Sequence, residues 1–106
     1  MYRYKRPLYW TDALFISFLQ RTILIHSYLY YEKDTNIWSD KQFDAVAKQL
    51  VREQQYHTEA WIRNKTDYGY CFYDFDGTTG FDLWCRLEEE DQKMISSIAN
   101  MIIGRR

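Results

Sequence analysis

Apolar residues in the first third of the chain recur at helical spacing. Leu14, Phe18, Ile25 and Leu29 fall on one stripe, and Phe15, Leu19, Ile23 and Leu24 widen it until the segment is apolar around most of its circumference. With Thr11 as a cap, the pattern predicts a first helix over Asp12 to Lys33, stopped by the polar run Asp34-Thr35-Asn36. Ser39 followed three residues later by Gln42 forms a capping box, in which hydroxyl and amide satisfy backbone N–H groups that have no intrahelical partner. A second helix therefore runs from Ser39 to Tyr56, burying Phe43, Val46, Ala47, Leu50 and Val51 and leaving Lys48, Arg52 and Glu53 in water. A short loop between two such helices predicts an antiparallel hairpin.

From Asp67 the pattern reads as strand. Tyr68-Gly69-Tyr70-Cys71-Phe72-Tyr73 is aromatic-rich, Asp76-Gly77-Thr78-Thr79-Gly80 is a turn sequence, and Phe81-Asp82-Leu83-Trp84-Cys85 returns. A five-residue turn sets Cys71 opposite Cys85 and Phe72 opposite Trp84, and also the like-charged Asp74 opposite Asp82, which disfavours that register. Glu88-Glu89-Glu90-Asp91 then suits the positive end of a last helix, with Met94, Ile95, Ile98, Met101 and Ile102 as its apolar face. The expected fold is α+β: an antiparallel two-helix hairpin, an aromatic β-hairpin and a C-terminal helix, in the order α-α-β-β-α. It forms a single domain over 1–106, divided into an arm at 1–10, the helical hairpin at 12–56, the β-hairpin at 67–87 and the last helix at 88–103. Leu14, Phe18, Ile25, Val46, Leu50, Phe72 and Ile98 are assigned to its core.

At 106 residues the chain has room for one domain, which leaves no place for a separate catalytic one. Fourteen basic against fifteen acidic residues give a formal net charge of -1, so any nucleic-acid contact must be local. A hydrophobic share of 46% with four Gly and one Pro excludes disorder for most of the length. No stretch approaches the ~20 apolar residues of a membrane span, and no secretory leader is visible. No membrane partner is expected. A cytoplasmic location inside a host cell follows, where Cys71 and Cys85 are expected as two buried thiols rather than a disulfide.

The run from His26 to Asp44, His-Ser-Tyr-Leu-Tyr-Tyr-Glu-Lys-Asp-Thr-Asn-Ile-Trp-Ser-Asp-Lys-Gln-Phe-Asp, resembles the N-terminal Ia domain of bacterial NAD-dependent DNA ligases. It is also similar to small phage and mobile-element proteins labelled ligase-like. In that family a helical hairpin clamps the nicotinamide mononucleotide (NMN) half of NAD. The resemblance covers residues 12 to 55 and implies a nucleotide site made by Tyr30 and Tyr31 for the aromatic pair, Asp40 and Asp44 for the two acids, and Phe43 for the tyrosine between them. Phe43 lacks that hydroxyl, Tyr31 stands where many ligases have histidine, and Asn36 stands where they have proline. Ligation also needs an adenylation domain with a Lys-x-Asp-Gly motif. Lys65-Thr66-Asp67-Tyr68-Gly69 is one residue out of register, and too little chain follows it to build that domain.

Other chemistry is thin. Asp74-Phe75-Asp76-Gly77-Thr78 reproduces a dehalogenase-type phosphatase signature, but the parallel sheet, lysine and later acids of that chemistry do not fit between Thr79 and Arg106, so it reads as a turn. His26 and His57 lack partners at metal-ligand spacing. No metal and no catalytic residue is assigned. Tyr2-Arg3-Tyr4-Lys5-Arg6 interleaves cations with rings, a composition that suits unpaired bases, an acidic protein patch or an arm packed on its own domain.

Three functions follow as expectations. The first is a non-enzymatic protein-binding module with Arg3, Lys5, Arg6 and Trp38 on its interaction surface, encoded by a phage to inhibit a host defence system in the manner of an anti-CRISPR protein. Its partner would be a host or phage protein such as a defence nuclease complex, and no cofactor would be bound. The second is a module binding NMN or NAD through Tyr30, Tyr31, Asp40, Phe43 and Asp44. The third is a small nucleic-acid accessory protein using the arm.

Overall fold

Side-chain caps start the two long N-terminal helices where the sequence places them. The structure, a computed structural model, describes residues 3–35, 37–77 and 81–104. Helix α1 spans Asp12–Tyr31, and the Thr11 hydroxyl accepts the Leu14 N–H at 3.2 Å. Helix α2 spans Asp40–Gln54, and the Ser39 hydroxyl accepts the Gln42 N–H at 3.1 Å. α1 stops two residues short of the expected Lys33 because Asp34 takes a positive φ of 48° and the Thr35 N–H turns back to the Leu29 carbonyl at 2.9 Å. The pair is antiparallel: Gln20 in the first half of α1 meets Gln54 at the end of α2, while His26 meets Trp38 just before α2 begins.

Helix α3, Glu59–Lys65, occupies a stretch between the elements that the sequence pattern predicts. Thr58 caps it by accepting the Trp61 N–H at 3.1 Å. Three shorter or later elements complete the chain: α4 at Gly69–Phe72, α5 at Phe81–Arg86 and α6 at Glu89–Gly104.

The expected α+β class is therefore corrected to all-helical: among the described residues there is no strand, and the segment expected as a β-hairpin holds α4 and α5. Burial gives the reason. Tyr68, Cys71 and Phe72 are buried at positions i, i+3 and i+4, and Leu83 and Leu87 at i and i+4, whereas a strand would bury alternate residues. Gly69 also packs too closely for a side chain, since a Cβ there would lie 1.9 Å from the Ile62 carbonyl oxygen. α3 and α4 thus form one tight corner. In the expected turn, Gly77 has the left-handed φ of 88°; Thr78, Thr79 and Gly80 lie outside the described residues.

α1 is the central element, packing against α2, α5 and α6. Its buried residues run nearly around the helix, matching the all-round apolar pattern. Ile25, Val46, Leu50 and Phe72 are in the core as expected, while Phe18 and Ile98 pack half-buried at its edge. Leu14 is a correction: it is more than half exposed. So are Met94 and Met101, expected on the apolar face of the last helix but about half exposed, because Ile95 and Ala99 take its buried side. No helix among the described residues is long and apolar enough to cross a membrane.

Candidate functional site

The N-terminal segment is pinned to the hairpin. Gln49 of α2 grips the backbone of Tyr4 with both ends of its amide: the Tyr4 N–H donates to Oε1 at 3.0 Å and Nε2 donates to the Tyr4 carbonyl at 2.7 Å. That is the pairing a neighbouring strand would supply, made here by one buried side chain. The Tyr4 ring meets Phe18 edge-on at 5.0 Å, and Trp10 meets the same Phe18 at 5.6 Å. Between these anchors Arg6 pairs with Asp12 and lies over the Phe15 ring, and His57 Nε2 reaches the other Asp12 oxygen at 3.0 Å. The bonded Arg6 guanidinium holds the Asp12 carboxyl below its ordinary range.

With Tyr4, Arg6 and Trp10 turned inward, a β-turn closed by the Trp10 N–H on the Pro7 carbonyl at 3.1 Å turns Leu8 and Tyr9 outward. Leu8 is 86% exposed and Tyr9 91% exposed. Central turn positions are ordinarily polar or glycine, so two large apolar side chains there are unusual. Arg3 and Lys5 stand exposed on the approach to the turn. Of the expected interaction residues, these two are on the surface, Arg6 is committed to Asp12, and Trp38 is only 9% exposed. Trp38 is covered because its ring stacks face to face on His26 at 3.6 Å and meets Phe43 at 6.1 Å. Sequence reasoning missed Leu8 and Tyr9; the signal was an apolar pair directly after the chain's single proline.

The residues of the ligase resemblance lie around the end of the hairpin. Tyr30 and Tyr31, the last residues of α1, meet edge to face at 4.9 Å and are nearly half exposed. Asp40 and Asp44 are exposed one turn apart on α2, and Asp44 accepts an ion pair from Lys48 at 2.9 Å. Phe43 turns inward against Trp38. At this same loop end of the hairpin, His26, Trp38 and Phe43 form an aromatic plug between α1 and α2.

The remaining reactive groups are held by structural partners. Burial lowers the His26 imidazole to about 4. Asp74, first acid of the phosphatase-like signature, pairs with Arg86 at 2.7 Å, and the same guanidinium binds the Cys71 carbonyl at 3.0 Å. The Tyr70 hydroxyl donates to Asp91 and accepts the Glu88 N–H at 3.1 Å; burial and the Asp91 carboxylate raise its pKa. Cys71 is buried, whereas Cys85 is exposed, which corrects the expectation of two buried thiols; both are free. Among the described residues no group of three or more His, Cys, Asp or Glu side chains is disposed to hold a metal ion.

Comparison of the chain with protein-family models, with curated proteins and with solved structures finds no match. The likeness to the ligase Ia domain therefore rests on its own residues alone.

Proposed function

We propose that the chain is a non-catalytic protein-binding module whose contact surface is the Leu8–Tyr9 turn, with Arg3 and Lys5 as flanking cations. One observation carries this reading: the two most exposed large apolar side chains of the described residues sit together on a turn that Gln49, Asp12 and Phe18 hold in place. An apolar aromatic pair on a preorganised backbone loses little conformational entropy on binding, which is how interface anchors gain affinity. A host defence complex, the partner class named from the sequence, belongs among the proteins this surface would contact.

Incorporation of a photo-crosslinking side chain at position 9 in cells tests the reading. A discrete protein adduct is expected from position 9 and none from the exposed control position Gln55. No adduct, equal adducts from both positions, or adducts only with nucleic acid would overturn it. A second reading, an NMN or NAD binder, draws on the half-exposed Tyr30–Tyr31 pair and the nearby Asp40 and Asp44 carboxylates, which suit ring stacking and contact with a cationic nicotinamide.

A further inference from the structure

The Leu8–Tyr9 turn carries positive charge around an apolar tip. Arg3 and Lys5 are exposed ahead of it in the chain, and the first acid after it, Asp12, is occupied by Arg6 and His57. The opposite composition is displayed on α6. Glu88, just before the helix, is exposed, the side chains of Glu89 and Glu90 are 82% and 90% exposed, and Lys93 stands at 3.7 and 4.0 Å from these two. Glu90, Met94 and Met101 follow at i, i+4 and i+11, which at 100° per residue places them on one stripe of α6, turned away from the face that buries Ile95 and Ala99. Methionine thioethers are adaptable and favour aromatic rings, so this stripe is an acidic, soft apolar receptor for a tyrosine flanked by cations.

We infer that the partner of the Leu8–Tyr9 turn is the Glu90–Met94–Met101 stripe of α6, with Glu89 at the start of that helix adding negative charge, on a second copy of this chain. The inference rests on the reading of the turn as a contact surface. The turn is not seated on its own α6, since Leu8 and Tyr9 are almost fully in solvent while their backbone is anchored to α1 and α2. A formal net charge of -1 leaves little overall repulsion between copies, and charge of opposite sign on two surfaces favours head-to-tail approach. Turn and receptor are different surfaces, so the contact is heterologous: each copy offers one of each, and association extends beyond a pair. Two anchor side chains and a few ion pairs make a small interface, so the association is weak, reversible and salt-sensitive.

Sedimentation of the full chain from about 10 μM to about 1 mM tests this, the range a small interface calls for. The mass-average is expected to rise with concentration and to fall back when salt is added. Leu8→Ser with Tyr9→Ser, which removes the turn's anchors, and Glu89→Lys with Glu90→Lys, which reverses the receptor's charge, should each remain monomeric. Mixed together, they should form a one-to-one dimer and nothing larger, because only one competent turn and one competent receptor then meet. If the charge reversal unfolds α6, as judged by circular dichroism, Met94→Lys replaces it. A wild type that stays monomeric throughout, a turn variant that still associates, or a mixture with no dimer overturns the inference. A foreign adduct from position 9 alongside a monomeric wild type would overturn this inference alone, whereas absence of any adduct removes the turn's role as a contact surface.

Discussion

Gln20 and Gln54 face each other across the helical hairpin, Nε2 of Gln20 lying 3.0 Å from Oε1 of Gln54, with both side chains buried. Each makes further bonds. Gln20 Nε2 also donates to the Thr66 hydroxyl at 3.0 Å, and its Oε1 accepts the Tyr68 N–H at 3.2 Å; Gln54 Nε2 donates to the Phe72 carbonyl at 2.9 Å. Two amides thereby tie α1, α2 and the α3–α4 corner together. Gln20→Leu keeps the volume but strands the Tyr68 N–H and removes the donor to Gln54, at about 1–3 kcal/mol for each stranded group. Chemical denaturation should show that loss. Stability within about 0.5 kcal/mol of wild type would mean that the network contributes little.

What the sequence disclosed and what it hid both trace to these contacts. The starts of α1 and α2 were legible because Thr11 and Ser39 carry a local signal, and α6 because acids precede a 3.6-residue apolar repeat. The segment from Tyr68 was not, because aromatic residues are enriched in strands; what decides its conformation is Gly69 seated on the Ile62 carbonyl and Tyr68 tied to Gln20, neither a local signal. The i, i+3, i+4 spacing of Tyr68, Cys71 and Phe72 was present in the sequence and was outweighed by composition. At the candidate site, the cations Arg3 and Lys5 are legible, while the exposure of Trp38 is not, because nothing in the sequence announces that His26 covers its ring.

His26 gives the fold a pH dependence. Burial against Trp38 lowers its pKa from the ordinary 6.5 to about 4, so the unfolded chain takes up a proton before the folded one. Stability contributed by the neutral ring is complete above 6.5 and is lost as pH falls from 6.5 toward 4. The ring is partly exposed, so the loss should be on the order of 2 kcal/mol. Asp12, held low by Arg6, acts only below the ordinary carboxylate range, a separate window. Melting temperatures of wild type and His26→Phe should diverge between pH 6.5 and 4, with the variant flatter. Parallel curves would remove His26 as the cause.

Two glycines should respond oppositely to alanine. At Gly69 the new Cβ would lie 1.9 Å from the Ile62 carbonyl oxygen and 2.7 Å from the Thr66 hydroxyl, so α3 and α4 must separate. Gly69→Ala should cost ~3 kcal/mol or more, at the upper end for overpacking. At Gly104 a Cβ meets nothing within 4 Å, and Gly104→Ala should be neutral or stabilise by at most about 1 kcal/mol. Equal effects in denaturant titrations would contradict the α3–α4 corner.

The two thiols should differ in reactivity by more than exposure of one side chain suggests. Burial raises the Cys71 thiol to about 11, leaving little thiolate at neutral pH, while Cys85 is in contact with solvent. A maleimide should label one cysteine quickly in the native protein and the second only after denaturation, with peptide mapping assigning the fast site to Cys85. Slow, equal labelling would instead favour the paired arrangement that a β-hairpin would have imposed.

Asp44 tests the nucleotide reading with little risk to the fold. It is exposed, and its ion pair with Lys48 is of the i,i+4 surface kind that contributes about 0.3–0.5 kcal/mol. Asp44→Asn should therefore leave the melting temperature within a degree or two. If the Tyr30–Tyr31 pair and the acids of α2 receive nicotinamide mononucleotide, calorimetry should detect binding to the wild type, weakened about tenfold in the variant, the scale of one charge-assisted hydrogen bond. Millimolar ligand that produces neither heat nor thermal stabilisation would show that the His26-Trp38-Phe43 plug has closed the hairpin to nucleotides. The same half-exposed tyrosines would then be explained by their edge-to-face packing at the end of α1, and the Leu8–Tyr9 turn would stand as the chain's leading candidate for recognition.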